Sequence, residues 1–162
     1  MLKEGALASK QCLVNGHMGV VRPAVVAALT VVAVACSGPP APTAEQHLDI
    51  ILRDFAIEPE DHVLAPGLTD FHGTNEGPTV HELILVRTEL ADDALPLQAD
   101  GLTAVEEAPD VEFVIADEGI DLGEAGGFQA DLRPGNYVIY CNLEGHYLGD
   151  MTTELEVREG LS

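Results

Sequence analysis

The chain has 162 residues, with 7 basic side chains against 28 acidic ones, a formal net charge of −21. Binding to nucleic-acid phosphates needs clustered cations, so this charge argues against a nucleic-acid partner and against direct binding to anionic lipid. Frequent glycine (16 residues) and proline (10 residues) indicate short elements separated by turns.

An uncharged apolar stretch at residues 23–35 follows Arg22. It is shorter than the roughly 20 residues that a membrane-spanning helix needs, and it is typical of the apolar region of a signal peptide. We therefore predict a signal peptide over residues 1–35. It ends at Ala33-Val-Ala-Cys36, which resembles the bacterial lipobox, where cleavage precedes a cysteine that becomes lipid-modified. Lipidation of Cys36 is the favoured prediction, and plain secretion with a free Cys36 thiol is the alternative.

Residues 1–17 are polar and show no pattern of a folded segment. Met18 begins a short, positively charged segment that could by itself form the first region of a signal peptide. We interpret residues 1–17 as an extension upstream of the true start, a long leading region being the alternative. Residues 36–45 are rich in proline and alanine, which predicts a semi-extended tether. The protein is therefore expected outside the cytoplasm, on the outer side of the cytoplasmic membrane (cell surface or periplasm), with membrane contact through the lipid anchor only.

Residues 46–162 form the predicted folded domain, in which short apolar runs alternate with turn residues. The predicted strands are 47–57, 62–65, 68–74, 80–88, 112–116, 128–132, 137–141 and 151–158. Alternation in the last strand places Met151, Thr153, Leu155 and Val157 on one face. About eight short strands predict an all-β fold, an antiparallel Greek-key β-sandwich. We interpret the strongly acidic residues 89–126 as an insertion that contains one or two short helical turns. It is either a solvated insertion at one edge of the sandwich or an acidic docking face.

The most informative pattern is the regular spacing of Cys141, His146 and Met151, five residues apart. A soft one-electron metal favours this donor set, since blue-copper sites combine two histidines and one cysteine with a weak axial methionine. His81, at the head of a strand-like run, is the candidate for the second histidine. The alternative is a buried core cysteine, a surface histidine and a gap-filling methionine. We expect the remaining histidines of the domain to be surface or turn residues: His47, His62 and His72.

With these residues, about 46–158 resemble the cupredoxins, the family of type 1 blue-copper proteins that includes plastocyanin, azurin and auracyanin. The resemblance is carried by the segments 75–81 and 134–141 and by the Cys-x4-His-x4-Met loop. It implies one copper ion, with His81, Cys141 and His146 as equatorial ligands and Met151 as the axial ligand.

One position departs from the family pattern. Many members follow the first ligand histidine with an asparagine that ties the ligand loops together, whereas this chain has Glu82. Because such ties orient ligands and tune the metal, their identity stays open here among Asn75, Glu82 and Asn142, with Thr79 a further candidate.

The resemblance implies an electron carrier and not an enzyme. The alternative function is copper binding for storage or for delivery to an exported copper enzyme. The acidic charge favours a redox partner with a basic docking face, although it is also explained by solubility in a saline habitat. We expect a monomer.

Overall fold

The computed structural model describes residues 46–161, and these residues form an all-β domain. No helix within them is long and apolar enough to cross a membrane. The predicted signal peptide, the lipidation residue Cys36 and the tether lie outside the described residues. Those three expectations therefore stay predictions.

Nine strands and one short 3-10 helix make up the described chain. The strands are β1 (Gln46–Arg53), β2 (Ala56–Pro59), β3 (Val63–Leu64), β4 (Gly67–Asn75), β5 (His81–Thr88), β6 (Val111–Ile120), β7 (Ala125–Leu132), β8 (Gly135–Tyr140) and β9 (Thr152–Val157). The 3-10 helix, Tyr147–Gly149, lies between β8 and β9.

The strands form two sheets, one in the order β2-β1-β4-β7 and the other in the order β3-β9-β8-β5-β6. The predicted β-sandwich is confirmed, but the sheets are mixed. Strand β1 pairs with β4 and strand β3 pairs with β9 in parallel, and the other neighbours are antiparallel. The parallel pair β1–β4 arises because the chain passes through β3 in the other sheet before it returns beside β1.

The predicted first strand, residues 47–57, is broken into two. The chain turns at Asp54 and Phe55, and β2 folds back on β1 with Arg53 opposite Ala56. Phe55 adopts a positive φ of 61°. Residue propensities do not predict this turn, because phenylalanine favours strands and rarely adopts a left-handed conformation.

The main core fills the space between the sheets with aliphatic and aromatic side chains. Its β9 members are Leu155 and Val157, with Met151 just before the strand, and Thr153 is buried as well. The face predicted from the alternation of this strand therefore points inward. Cys141 belongs to the same core, so the candidate ligand loop starts from packed structure.

The acidic insertion is shorter than predicted, because β6 begins at Val111. Residues 89–110 contain turns and isolated bridges and no α-helix. This segment buries Leu95 and Ala104 in a second core on the outer side of the five-stranded sheet. It therefore covers a sheet face instead of extending from an edge into solvent. The other buried members of this core are Ile84, Val86, Val111, Val138, Tyr140 and Tyr147.

Candidate metal centre

Three of the predicted ligand side chains meet at one end of the sandwich. His81 opens β5, Cys141 directly follows β8, and His146 precedes the 3-10 helix. One ligand atom from each residue lies within 4.8 Å of the other two. The Sγ atom of Cys141 is 3.4 Å from Nδ1 of His146, and the rings of His81 and His146 are 5.3 Å apart. Folding thus joins a histidine from β5 to a loop some sixty residues later in the chain.

The site is closed on its inner side. His81 and Cys141 are 0% exposed, whereas His146 is half-buried. Burial raises the pKa of the Cys141 thiol and lowers the pKa of His81, on which the neighbouring His146 acts in the same direction. Backbone N–H groups of Leu143 and Glu82 partly offset the shift at Cys141.

The two ring nitrogens of His81 supply the test of whether these residues fit a metal. Both are buried, and neither has an aligned hydrogen-bond partner within the described structure. A buried polar group without a partner is costly, and a bound cation would satisfy it. A thiolate and two neutral imidazoles form a donor set that suits soft or borderline metals, above all copper. The residues present therefore fit the copper ion that the resemblance implies.

Met151 completes the predicted set. Its side chain is 0% exposed and lies in the same core cluster as Cys141. The Met151 backbone N–H donates to the His146 carbonyl over 3.1 Å, and the Cys141 N–H donates to the Met151 carbonyl over 3.1 Å. These bonds close the loop on itself and hold the thioether at the same end of the domain as the other donors.

The sulfur of Cys141 accepts a hydrogen bond from the backbone N–H of Glu82 over 3.3 Å. This bond joins the strand that carries His81 to the loop that carries the other candidate ligands. The donor is a main-chain group, so the bond does not depend on the side chain at position 82. Burial raises the pKa of the Glu82 carboxyl, and the backbone amide of Asn142 opposes that shift.

Asn75 organises the loop that leads into β5. Its Nδ2 group donates to the carbonyls of Thr79 and Ile120, each over 2.8 Å. Its Oδ1 atom accepts from the backbone N–H of Gly77 over 2.9 Å. Asn75 is fully buried, and it fixes the path of the chain immediately before His81.

Asn142 makes contacts of another kind, because its side chain faces the insertion. Its Oδ1 atom accepts from the Ala104 N–H over 2.7 Å, and its Nδ2 group donates to the Ala104 carbonyl and to Glu106. The Gly145 N–H also donates to the Leu102 carbonyl over 3.1 Å. The ligand loop is therefore anchored to residues 102–106 of the insertion.

Two residues of the site were missing from the sequence prediction. Asp54 Oδ1 lies 3.2 Å from Nε2 of His81, and the Phe55 ring lies 5.5 Å from the His146 ring. Both belong to the turn between β1 and β2, which lies inside the single strand predicted over residues 47–57. The three other histidines of the described chain are exposed and away from the site, as expected: His47, His62 and His72.

Comparison with protein-family models and with curated proteins gives no match. Solved structures do match. Auracyanin from Roseiflexus castenholzii is 16% identical, with a TM-score of 0.52 over 70% of this chain and 97% of that one. Auracyanin B is 21% identical, with a TM-score of 0.50 over 75% of this chain and 93% of that one.

Rusticyanin from Thiobacillus ferrooxidans is 16% identical, with a TM-score of 0.53 over 70% of this chain and 77% of that one. The chain therefore has the cupredoxin fold, the fold of auracyanin and rusticyanin.

Proposed function

We propose that this protein is a type 1 copper protein that carries single electrons between redox partners. The observation that carries this proposal is the convergence of His81, Cys141 and His146 at a buried end of the fold, with Met151 beside them. Bound there, copper would supply a one-electron Cu(I)/Cu(II) couple. A similar structure, auracyanin A from Chloroflexus aurantiacus, is described as a "blue" copper protein.

The residues around the site support fast electron transfer because they hold the donors in place. His81 is fixed by its strand, and the loop from Cys141 to Met151 is tied to β5 and to the insertion by hydrogen bonds. A rigid donor set limits rearrangement when the metal changes charge. The ring of His146 is only half-buried, so it connects the site to the protein surface.

Storage or delivery of copper is the weaker alternative. A protein that hands metal to another needs donors that an acceptor can reach, whereas His81 and Cys141 are completely buried. The chain also has only 3 methionines, so it lacks the methionine-rich surface that would favour exchange. Closed, buried donors favour a carrier that keeps its metal.

The cellular setting is part of the same proposal. The apolar stretch before Cys36 and the proline-rich residues 36–45 support export and a lipid anchor outside the cytoplasm. Intact mass and detergent partitioning of the native protein test this, with Cys36→Ala as the control. An unmodified N-terminus in the aqueous fraction would leave simple secretion.

The central experiment is the visible spectrum of the purified protein loaded with Cu(II). We expect an intense absorption band from thiolate-to-copper charge transfer that disappears on reduction and is absent from Cys141→Ser. A colourless protein that binds copper stoichiometrically would contradict the type 1 assignment.

A further inference from the structure

The turn between β1 and β2 contains a phenylalanine, Phe55, in a left-handed backbone conformation. Phe55 has a φ of 61°, a left-handed conformation that costs a residue with a Cβ atom about 1–2 kcal/mol. Its side chain is 53% exposed, so burial does not compensate for the strain. Arg53, just before the turn, is paired with both Glu58 and Glu76, which holds the turn from two sides. Strained residues of this kind gather at functional sites.

Asp54, the first residue of the turn, faces the buried ring of His81. Its Oδ1 atom accepts a hydrogen bond from Thr79 Oγ1 over 2.8 Å and lies 3.2 Å from Nε2 of His81. The ring is not aligned for a hydrogen bond, yet no better partner for Nε2 exists in the described structure. Hydrogen bonds at functional sites are often poorly aligned before the ligand binds. A small ring rotation would let Nε2–H donate to Asp54 and leave Nδ1 free for a metal.

Gly77 makes this approach possible. A Cβ atom at that position would lie 2.7 Å from Nε2 of His81 and 3.1 Å from Oδ1 of Asp54. The space between the ring and the carboxylate therefore exists only because residue 77 has no side chain.

Phe55, the second residue of the turn, faces the other histidine. Its ring centroid lies 5.5 Å from that of His146, with the planes inclined by 57°. Any side chain at Gly149 would overlap the Phe55 ring, so the ring is seated against the 3-10 helix. The His146 ring thus has the rings of both Phe55 and His81 as neighbours.

We propose that the Asp54–Phe55 turn positions both histidine ligands, with Asp54 fixing the tautomer and orientation of His81 and Phe55 restraining the ring of His146. The inference rests on the proposed copper function and deepens it. A carboxylate behind a ligating histidine selects one tautomer and directs the other nitrogen to the metal. The turn stabilises this arrangement from outside the loop that carries the other donors.

The first test uses the metal-free protein and compares Asp54→Ala with Asp54→Asn. Long-range proton–nitrogen NMR of the His81 ring should show one tautomer, protonated at Nε2, in the wild type and in Asp54→Asn, where an amide oxygen still accepts. Asp54→Ala should show a mixture. Glu60→Ala, which removes an exposed acid just after β2, is the control for lost charge.

Copper affinity, measured by competition with a chelator, should fall about 10–100-fold in Asp54→Ala and much less in Asp54→Asn. An Asp54→Ala protein with the wild-type tautomer and wild-type affinity would overturn the role of Asp54. The tautomer is read without copper. A wild-type protein that fails to form a blue site would therefore contradict the proposed function and leave this measurement intact.

The second test distinguishes the effect of the left-handed backbone at Phe55 on stability from the effect of its ring on the ligand His146. Phe55→Gly relieves the left-handed backbone and removes the ring, while Phe55→Tyr keeps the ring. We expect the metal-free glycine variant to resist urea at least as well as the wild type, yet to release copper to a chelator about tenfold faster. Phe55→Tyr should behave as the wild type. An unchanged release rate in Phe55→Gly would overturn the role of Phe55.

Discussion

Asn142, the residue after the candidate ligand Cys141, binds both backbone polar groups of Ala104 through its side chain, over 2.7 and 3.1 Å. Ala104 belongs to the insertion and is fully buried in the second core. A single amide therefore connects the ligand loop to a segment for which the sequence predicts a solvated edge or a docking face. The acidic insertion therefore anchors the ligand loop, independently of any role of its charge in docking.

Asn142→Ala should destabilise the domain by about 1–3 kcal/mol, because the buried N–H of Ala104 would lose its acceptor. Urea unfolding of the metal-free protein measures this. Asn136→Ala is a matched control, since the Asn136 amide is exposed and donates to an exposed glutamate side chain, that of Glu89. The control should change the free energy of unfolding by no more than about 0.5 kcal/mol. Equal losses in both variants would contradict the anchoring role of Asn142.

Met151→Leu should keep copper but raise its reduction potential, while Cys141→Ser should abolish the visible band. Methionine is a weak axial donor, and its electron density favours the oxidised metal, so its loss favours the reduced form. Leucine is similar in volume, which keeps the packing of the fully buried position. Voltammetry of the copper-loaded proteins decides the matter. A potential equal to that of the wild type would mean that Met151 only fills the core.

Local patterns made part of this structure predictable. The alternation after Met151 and the spacing from Cys141 to His146 are both set by neighbouring residues, and the structure places these side chains as expected. The turn at Phe55 was not predictable, because phenylalanine favours strands and the ring that it contacts, that of His146, is far away in sequence. The parallel pairing of β1 with β4 is likewise set by the path of the chain between the sheets, which strand propensity does not encode.

Tyr140→Phe should leave stability unchanged or raise it by up to about 1 kcal/mol. The hydroxyl of Tyr140 is buried without a hydrogen-bond partner in the described structure, and its burial raises the pKa of the phenol far above the ordinary value. The ring itself packs edge-on against Tyr147, 5.7 Å away, and phenylalanine keeps that contact.

Tyr137→Phe is the contrasting control for Tyr140. The Tyr137 hydroxyl donates to the Arg133 carbonyl over 2.9 Å and accepts from the Arg133 N–H over 3.1 Å. Its loss should cost about 1 kcal/mol. Thermal unfolding compares the two variants, and a larger loss for Tyr140→Phe than for Tyr137→Phe would show that the Tyr140 hydroxyl is satisfied in solution.

Asp92→Asn should stabilise the metal-free domain at neutral pH and have little effect in acid. Burial, followed by the charges of Glu154 and Asp93, raises the pKa of Asp92 in the folded state. A raised carboxyl pKa means that ionisation opposes folding, so the cost is present above the folded pKa. It vanishes as the pH falls below the unfolded value of about 3.9.

The gain from Asp92→Asn should stay below about 1 kcal/mol, because the side chain is only half-buried. Urea unfolding at several pH values follows the difference from the wild type, with the exposed Asp131→Asn as the control. A difference that is independent of pH, or that is largest in acid, would contradict the assigned burial effect.

Electron exchange with a cationic partner should be fast at low salt and slow steeply as salt rises. Every arginine of the described chain is already paired with a carboxylate, which leaves the remaining acidic surface uncompensated; these residues are Arg53, Arg87, Arg133 and Arg158. Removal of residues 1–35 would take away Lys3, Lys10 and Arg22 and only one acid, making the chain more acidic than the −21 of the whole sequence.

Such a field accelerates association by about tenfold or more, and salt screens it within about 8 Å at physiological ionic strength. Stopped-flow rates of the copper-loaded protein with a basic cytochrome, measured against ionic strength, should therefore fall by at least about tenfold across the range. An acidic cytochrome of similar potential is the control, and its rate should rise with salt as repulsion is screened. A flat dependence with the basic partner would remove the docking role and leave solubility in a saline habitat as the reason for the acidic surface.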